Sequence, residues 1–329
     1  MNIHKRKPFS KDLILISNTE ETINRITIKL KNDILNTLKR KGGVVGISGG
    51  IDSSVTVALA VRALGKDKVL GMIMPEKDSS PVSKTLALKL AKKLKIQTIE
   101  ENITGALKGF KCYERRDEAV KKIFSEYEPN LYKMKIGINK RGIDQNLPPV
   151  FSVTLVDSKN KEKTQLLPVN EYLQIVAASN FKQRSRMSVL YYHAERLHYA
   201  VIGTSNKHET DQGFFVKYGD RGADVMPIGN LYKTHIYQLA EYLKIPQEII
   251  KRVPTTDTYP AEQSQEEFFY QIPFKIMDIL WYGYENGYPP SEVASEIQMD
   301  VNEVENIFRN FARKKETTKY LRMSPIRDF

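Results

Sequence analysis

The chain has 329 residues, enough for one large domain or two small ones, and its 41% hydrophobic and 27% charged residues are typical of a globular protein. The formal net charge of +12 suits a polyanionic small substrate or a nucleic acid, although it can equally reflect a well-solvated surface. The one cysteine, Cys112, excludes an internal disulfide and a cysteine-based zinc cluster. No apolar run approaches the roughly 20 residues that span a bilayer, and the basic N-terminus lacks the apolar core of a signal peptide, so we expect a cytoplasmic protein with no membrane partner.

Hydrophobic periodicity in the first hundred residues predicts helices that alternate with strands. The predicted elements are a helix at 19–41, a strand at 44–48, a helix from 53 to about 64, a strand at 68–75, a helix at 82–94 and a strand at 96–103. Strands separated by helices indicate an α/β fold with a doubly wound parallel sheet and flanking helices. Ligands of such sheets bind at the carboxyl ends of the strands.

The pattern changes after residue 104 and becomes mixed. The predicted elements there are a charged helix at 114–127, a β-hairpin with strands at 150–156 and 164–169, a helix at 176–196, a strand at 199–204, a short strand at 224–228, helices at 231–243 and 247–252, a loop at 254–265 and a helical tail from 268. We therefore predict a domain at 1–275 with a β-hairpin insertion at about 105–175, and a helical C-terminal extension at 276–329.

A glycine turn with the sequence Ser48-Gly49-Gly50-Ile51-Asp52-Ser53 lies between the first strand and its helix. The backbone N–H groups of such a turn face one point near the positive end of the helix dipole, so we expect a phosphate group to bind there. No lysine follows the second glycine, which excludes a Walker-type loop. The string resembles the loop of the pyrophosphate-loop ATP hydrolases, which split ATP into AMP and pyrophosphate. An ordinary strand–turn–helix corner without a ligand is the alternative.

A second group of functional side chains, at residues 203–220, follows the strand predicted at 199–204 and should lie at the same sheet edge as the glycine turn. This stretch, together with Asn180 to Met187 and Pro227 to Thr234, resembles the synthetase domain of the ammonia-dependent NAD synthetases. The similarity covers roughly residues 20–103 and 176–275. It implies an adenine nucleotide α-hydrolase-like fold.

The resemblance implies a ligase that adenylates the nicotinate carboxylate of deamido-NAD with ATP and then displaces AMP with ammonia. By matching position, it implies that Gly46, Ile47, Ser48, Gly49, Gly50, Ile51, Asp52, Ser53, Thr204, Lys233 and Thr255 bind ATP. Asp52 and Lys233 would be catalytic, and Asp52 and Glu209 would hold Mg²⁺. Arg184, Lys217 and Asp220 would bind deamido-NAD. The resemblance also implies a homodimer.

The chemistry agrees with these residue types. A carboxylate is a poor electrophile, and conversion to an acyl-adenylate supplies a good leaving group. Because charge spreads over phosphate oxygens in the transition state, the site needs a metal and cations more than a general base. Each side chain has a structural alternative: Glu209 as a helix cap, Lys217 and Lys233 as solvated charges, and Arg184 as a partner of acids on a helix face.

Some positions depart from the family pattern. Asp220-Arg221-Gly222 stands where the family has Asp-Gly-Gly, and only Lys319-Tyr320 resembles a His-Lys pair near the family's C-terminus. The alternative that this chain is a paralogue that amidates another carboxylate therefore stays open. We expect no glutamine-hydrolysing domain, so free ammonia or a separate glutaminase would supply the nitrogen.

Two further hypotheses involve nucleic acids. A tRNA-modifying ligase would share the pyrophosphate loop. The spacing at 291–315 resembles a helix-turn-helix of a DNA-binding regulator, but two helices that dock on a core produce the same spacing. We do not expect nucleic acid to be a partner.

Overall fold

The computed structural model describes residues 7–138, 150–256 and 258–327. In chain order the helices and strands are α1 (Thr19–Asn32), β1 (Gly43–Gly46), α2 (Ile51–Leu64), β2 (Val69–Ile73), α3 (Pro81–Leu94), β3 (Gln97–Glu100), α4 (Thr104–Gly109), α5 (Cys112–Ile123), β4 (Lys133–Ile138), β5 (Phe151–Val156), β6 (Glu162–Leu166), α6 (Val169–Leu197), β7 (Ala200–Ile202), α7 (Lys207–Gln212), α8 (Lys233–Tyr242), α9 (Gln247–Ile250), α10 (Phe274–Glu285), α11 (Pro290–Ile297), α12 (Val301–Thr317) and α13 (Lys319–Arg322).

A four-stranded sheet with the order β3-β2-β1-β7 forms the centre, and all of its pairings are parallel. Successive side chains of β1 point to opposite faces: Val44 packs in a cluster with α6, and Val45 packs in a cluster with α1, α2 and α8. Both valines are fully buried, as expected of a parallel sheet covered on its two faces. The predicted doubly wound sheet with flanking helices is thus confirmed.

The segment predicted to be an insertion contains a second sheet, which is antiparallel with the order β4-β5-β6. The predicted hairpin corresponds to β5 and β6, while the sequence analysis missed β4. Only Met134 and Ile136 of β4 are buried, so its local pattern is weak, and pairing with β5 stabilises it. Part of the predicted insertion, 139–149, lies outside the described residues.

Several predicted boundaries differ from the structure. The strand predicted at 164–169 ends at Leu166, and α6 begins at Val169 rather than at 176, directly after Pro168. The helix predicted at 19–41 ends as an α-helix at Asn32 and continues as one π-helical turn to Thr37. The strand predicted at 224–228 is a single bridge between Ile202 and Val225.

The C-terminal helices pack in a second, aromatic core that also includes Phe9, Ile14 and Tyr232, and in it Trp281 of α10 packs against Phe311 of α12 with ring centroids 4.7 Å apart. Val293 of α11 and Val304 of α12 are fully buried in the same cluster. Docking of two helices on a core therefore accounts for the spacing that resembles a helix-turn-helix. The domain boundary at 275 stays a prediction. In the described part of the chain, no helix is long and apolar enough to cross a membrane.

Candidate active site

A cavity of about 310 Å³ opens at the carboxyl ends of β1, β2 and β7. It brings together the glycine turn after β1 and the polar stretch after β7, as the sheet topology requires. The predicted site residues that line it are Gly46, Ile47, Ser48, Gly50, Ile51, Asp52, Ser53, Thr204, Glu209, Asp220 and Thr255. Two parts of the sequence that lie about 150 residues apart thus form one cavity.

The glycine turn is held by its own hydroxyl groups. Gly50 is the N-cap of α2, and its carbonyl oxygen accepts hydrogen bonds from the hydroxyls of Ser53 and Ser54 at 3.0 and 2.8 Å. The Ser48 hydroxyl lies 3.0 Å from that of Ser53 and accepts the N–H of Gly50 at 3.3 Å. The N-terminus of a 14-residue helix therefore faces the cavity behind an ordered turn, which is a favourable place for a phosphate.

Gly49 is required by two separate constraints. Its φ is +75°, and a Cβ there would lie 2.4 Å from the carbonyl oxygen of Ser83 in α3. We expect Gly49→Ala to destabilise the protein by about 1–3 kcal/mol and to displace the turn; if the turn binds ATP, as the resemblance implies, the rate of ATP cleavage should fall at least about tenfold. Thermal unfolding and a pyrophosphate-release assay measure the two effects.

Gly65 provides the matched control, because its φ is +85° but no atom of the described residues lies within 4 Å of the Cβ position. Gly65→Ala should therefore lose stability through backbone strain and keep its activity. Equal activity losses in the two variants would show that strain in general, rather than the collision with Ser83, affects the site.

An ion pair connects the start of α2, which lines the cavity, to the start of α8, which lies outside the lining. Lys233, the first residue of α8, is fully buried, and its Nζ lies 2.6 Å from Oδ2 of Asp52. Asn206 connects the second carboxylate: its Nδ2 donates to Asp52 at 3.3 Å, and its backbone N–H donates to Oε2 of Glu209 at 3.0 Å. Asp52, Glu209 and Lys233 therefore form one cluster.

The cluster carries two carboxylates for one ammonium group. Burial and the nearby charge of Asp52 raise the pKa of Glu209 to about 8. Burial alone would lower the pKa of Lys233, but Asp52 and Glu209 outweigh it and raise that pKa, so the ammonium stays charged. Gln265, which also lines the cavity, has a buried Oε1 without a hydrogen-bond partner among the described residues.

These groups fit a magnesium ion that is shared with a phosphate. Mg²⁺ typically takes one or two protein carboxylates and completes its shell with phosphate oxygens and water. Asp52 and Glu209 supply two such carboxylates at one wall of the cavity. Within the described ranges, no group of three or more His, Cys, Asp and Glu side chains could hold a metal by itself.

The predicted substrate residues are divided between two places. Asp220 lines the cavity, accepts the N–H of Val216 at 2.8 Å, and has a pKa raised to about 6 by burial. Arg184 and Lys217 lie outside the lining. The Nε of Arg184 donates to the carbonyl oxygen of Lys217 at 3.3 Å, and the Nζ of Lys217 donates to that of Tyr320 at 3.0 Å. The substrate roles of all three residues stay predictions.

Asn206 and the helix that it begins were not predicted from the sequence. Asn206 caps α7: its Oδ1 accepts the N–H of Glu209, and the Glu209 carboxylate accepts the N–H of Asn206 in return. Glu209 therefore does take part in capping a helix, as the structural alternative predicted, and it also lines the cavity. The Asn-x-x-Glu spacing of a capping box was a visible signal for this helix.

A buried ion cluster beside the cavity was also not predicted from the sequence. The Nζ of Lys182 lies 2.8 Å from Glu76 and 2.9 Å from Asp78, and Arg116 lies 2.7 Å from Asp78. Tyr113 donates to the second oxygen of Glu76 at 2.7 Å. The two acids belong to the loop after β2, whose residues Pro75, Ser79 and Ser80 line the cavity. The cluster therefore fixes one wall of the site.

Solved structures share this fold. The NMN synthetase from Francisella tularensis superposes with a TM-score of 0.65 at 21% identity, over 95% of this chain and 99% of that chain. The NH3-dependent NAD synthetase from Campylobacter jejuni has a TM-score of 0.61 at 21% identity, over 95% of this chain and 100% of that chain. Both similarities concern the arrangement of the backbone.

Similarity in sequence is more specific. The NH(3)-dependent NAD(+) synthetase of Mesorhizobium japonicum is 45% identical over 304 residues, which are 92% of this chain and 95% of that protein. The enzyme of that name from Methanocaldococcus jannaschii is 33% identical over 306 residues, or 93% and 96% of the two chains. The model of the NAD synthase family matches residues 22–137 and 146–321. The chain therefore belongs to the NAD synthase family.

Proposed function

We propose that this protein makes NAD from deamido-NAD and ammonia, with ATP as co-substrate and AMP and pyrophosphate as further products. Family membership and relatives named NH(3)-dependent NAD(+) synthetases over more than nine tenths of the chain support this reaction. The observation in the structure that carries it is the meeting of the Ser48–Ser53 turn with Asp52 and Glu209 at one cavity, where the fully buried Lys233 pairs with Asp52.

In this proposal the turn and the N-terminus of α2 bind the phosphates of ATP through backbone N–H groups. Lys233 keeps its charge and lies against Asp52, so its ammonium is placed to offset negative charge that develops on the pyrophosphate leaving group. Asp52 and Glu209 are the proposed ligands of Mg²⁺, which when bound supplies further positive charge at the phosphate oxygens. Thr204 and Thr255, on other parts of the wall, are the remaining proposed ATP contacts.

The acid substrate would occupy the side of the cavity that Asp220 lines. Arg184 lies on an exposed stripe of α6 that also carries Val169, Leu173 and Tyr192. At about 3.6 residues per turn, Val169, Leu173 and Arg184 lie within about 60° of one another around the helix and Tyr192 lies about 80° beyond Arg184, and the three residues other than Arg184 present large apolar or aromatic surface. We propose that a second copy of the chain packs on this stripe, so that Arg184 contacts deamido-NAD at the interface of a homodimer.

The test is a reaction of the purified protein with ATP, Mg²⁺, deamido-NAD and an ammonium salt, followed by mass spectrometry. We expect one NAD and one pyrophosphate for each AMP, and no NAD when any one component is left out. Glutamine in place of ammonium should yield no NAD unless a separate glutaminase is added. Cleavage of ATP without NAD would reject deamido-NAD as the substrate and retain the adenylating activity. A protein that leaves ATP intact under all these conditions would contradict the proposal.

A further inference from the structure

We propose that Asp278 of α10 is a positioning residue of the adenylation site, because its carboxylate fixes the start of α8 and thereby the ammonium group of Lys233. The proposal rests on the function proposed above, because that function gives Lys233 the role of offsetting negative charge on the pyrophosphate leaving group. It also assigns a role to the C-terminal helices. The aromatic core in which they pack holds α10 so that the carboxylate of Asp278 lies against the first residues of α8.

The contacts of Asp278 are long-range and specific. Its Oδ2 accepts both the backbone N–H and the hydroxyl of Thr234, each at 2.6 Å, and its Oδ1 accepts the backbone N–H of Lys233 at 3.3 Å. These are the N–H groups of the first two residues of α8, which have no partner inside the helix. A side chain 44 residues away in the sequence thus caps this helix.

The same carboxylate also holds α7. Its Oδ1 is hydrogen-bonded to Nε2 of His208, the neighbour in sequence of Glu209. Asp278 and His208 are both fully buried, and rings of Tyr232, Tyr270 and Trp281 surround the imidazole with centroids 5.7, 6.1 and 5.9 Å away. One carboxylate therefore connects the two helices that carry Lys233 and Glu209, in surroundings that leave little room for movement.

The position of Lys233 is consequently fixed at both ends. Its ammonium is bound to Asp52 at 2.6 Å, and its backbone N–H is bound to Asp278. Loss of the Asp278 charge would leave buried N–H groups with a weaker acceptor, and buried donors without good partners drive the backbone to rearrange. A shift of the first turn of α8 moves the ammonium with it. Small displacements of a group that stabilises a transition state have large effects on rate.

The experiment compares Asp278→Asn with Asp300→Asn in the full chain. Asp300 is the matched control, since its carboxylate caps α12 by accepting the N–H groups of Asn302 and Glu303 at 2.8 and 3.2 Å. At a temperature well below both unfolding midpoints, we expect Asp278→Asn to lower kcat about tenfold or more and to change the KM for ATP less than about threefold. Asp300→Asn should leave both constants unchanged.

A second measurement follows Lys233 directly and does not depend on activity. Reductive methylation under native conditions, read by peptide mass spectrometry, should leave Lys233 unmodified in the unsubstituted protein, because its side chain is fully buried. In Asp278→Asn we expect Lys233 to be modified about tenfold faster or more, while the equally buried Lys182 stays protected. Lys182 is thus the internal control for general unfolding.

The possible outcomes separate the hypotheses. Unchanged kcat and a protected Lys233 in Asp278→Asn would overturn the proposal. Equal modification of Lys182 and Lys233 would also overturn it, because general unfolding would then indicate that the role of Asp278 is purely structural. If Asp278→Asn does not fold, Thr234→Val removes only the hydroxyl that donates to Asp278, and it should lower kcat about threefold and expose Lys233. No change in that variant would equally reject the idea. A protein that makes no NAD contradicts the proposed function, while the methylation result still decides the role of Asp278.

Discussion

Asp52→Asn is expected to lower the rate of ATP cleavage by a factor of about 10³ or more, because it removes a proposed magnesium ligand and the partner of the buried Lys233 at once. The amide keeps the size of the side chain and can still accept one hydrogen bond, so loss of charge is the main change. Pyrophosphate release in single-turnover and steady-state assays, with deamido-NAD and ammonium present, measures the effect. ATP binding by calorimetry separates loss of catalysis from loss of affinity.

Asp211→Asn is the matched control for this substitution. Asp211 lies on α7 near Glu209 and pairs with Lys207 at 2.9 Å, but Lys207 retains a second partner in Glu285 at 2.8 Å. We expect its activity to stay within about a factor of two, because the partly buried Lys207 keeps its pairing with Glu285 and neither residue lines the cavity. Full activity in Asp52→Asn would show that the carboxylate neither binds a metal nor positions Lys233. The assignment of the glycine turn to ATP would then be wrong.

The parts of the site that the sequence analysis predicted are those whose chemistry is local. Ser48 to Ser53 form a contiguous turn, and the two strands that precede the functional stretches end at one edge by topology alone. Glu209 and Lys233 could be placed only through the family resemblance. The structure adds that Asn206 joins Glu209 to Asp52, through a hydrogen bond between residues 154 positions apart.

The groups that support the site could not have been predicted from local patterns. Lys182 meets Glu76 across 106 positions, and Asp278 meets Thr234 across 44. A lysine or an aspartate in a helical pattern looks the same whether it faces water or a buried partner, since periodicity records hydrophobicity only. The helix α6 shows the same limit at its start, because Val169 and Leu173 are exposed and add nothing to an amphipathic pattern.

Lys182→Met is expected to destabilise the protein by about 3–5 kcal/mol, because it leaves the buried carboxylate of Glu76 without a cation and that of Asp78 with Arg116 alone. The ammonium is fully buried and bound to Glu76, Asp78 and the carbonyl oxygen of Thr258. For a chain of this length that free energy corresponds to a fall in Tm of about 4–7 °C. Lys89→Met is the control, since Lys89 pairs with Glu248 on the exposed surface and should contribute nothing measurable.

The pH dependence of this loss tests its electrostatic origin. Burial alone would raise the pKa of Asp78, but Lys182 and Arg116 outweigh it and hold that pKa below its usual value. A carboxyl group with a lowered pKa stabilises the folded state above about pH 4, and that contribution is lost as the pH falls through the folded-state pKa. The Tm difference between the unsubstituted protein and Lys182→Met should therefore be largest near neutrality and shrink below about pH 4. A difference that is constant with pH would indicate lost packing instead.

Because Asp78 belongs to the loop that forms one wall of the cavity, an electrostatic loss should also be accompanied by weaker ATP binding at neutral pH.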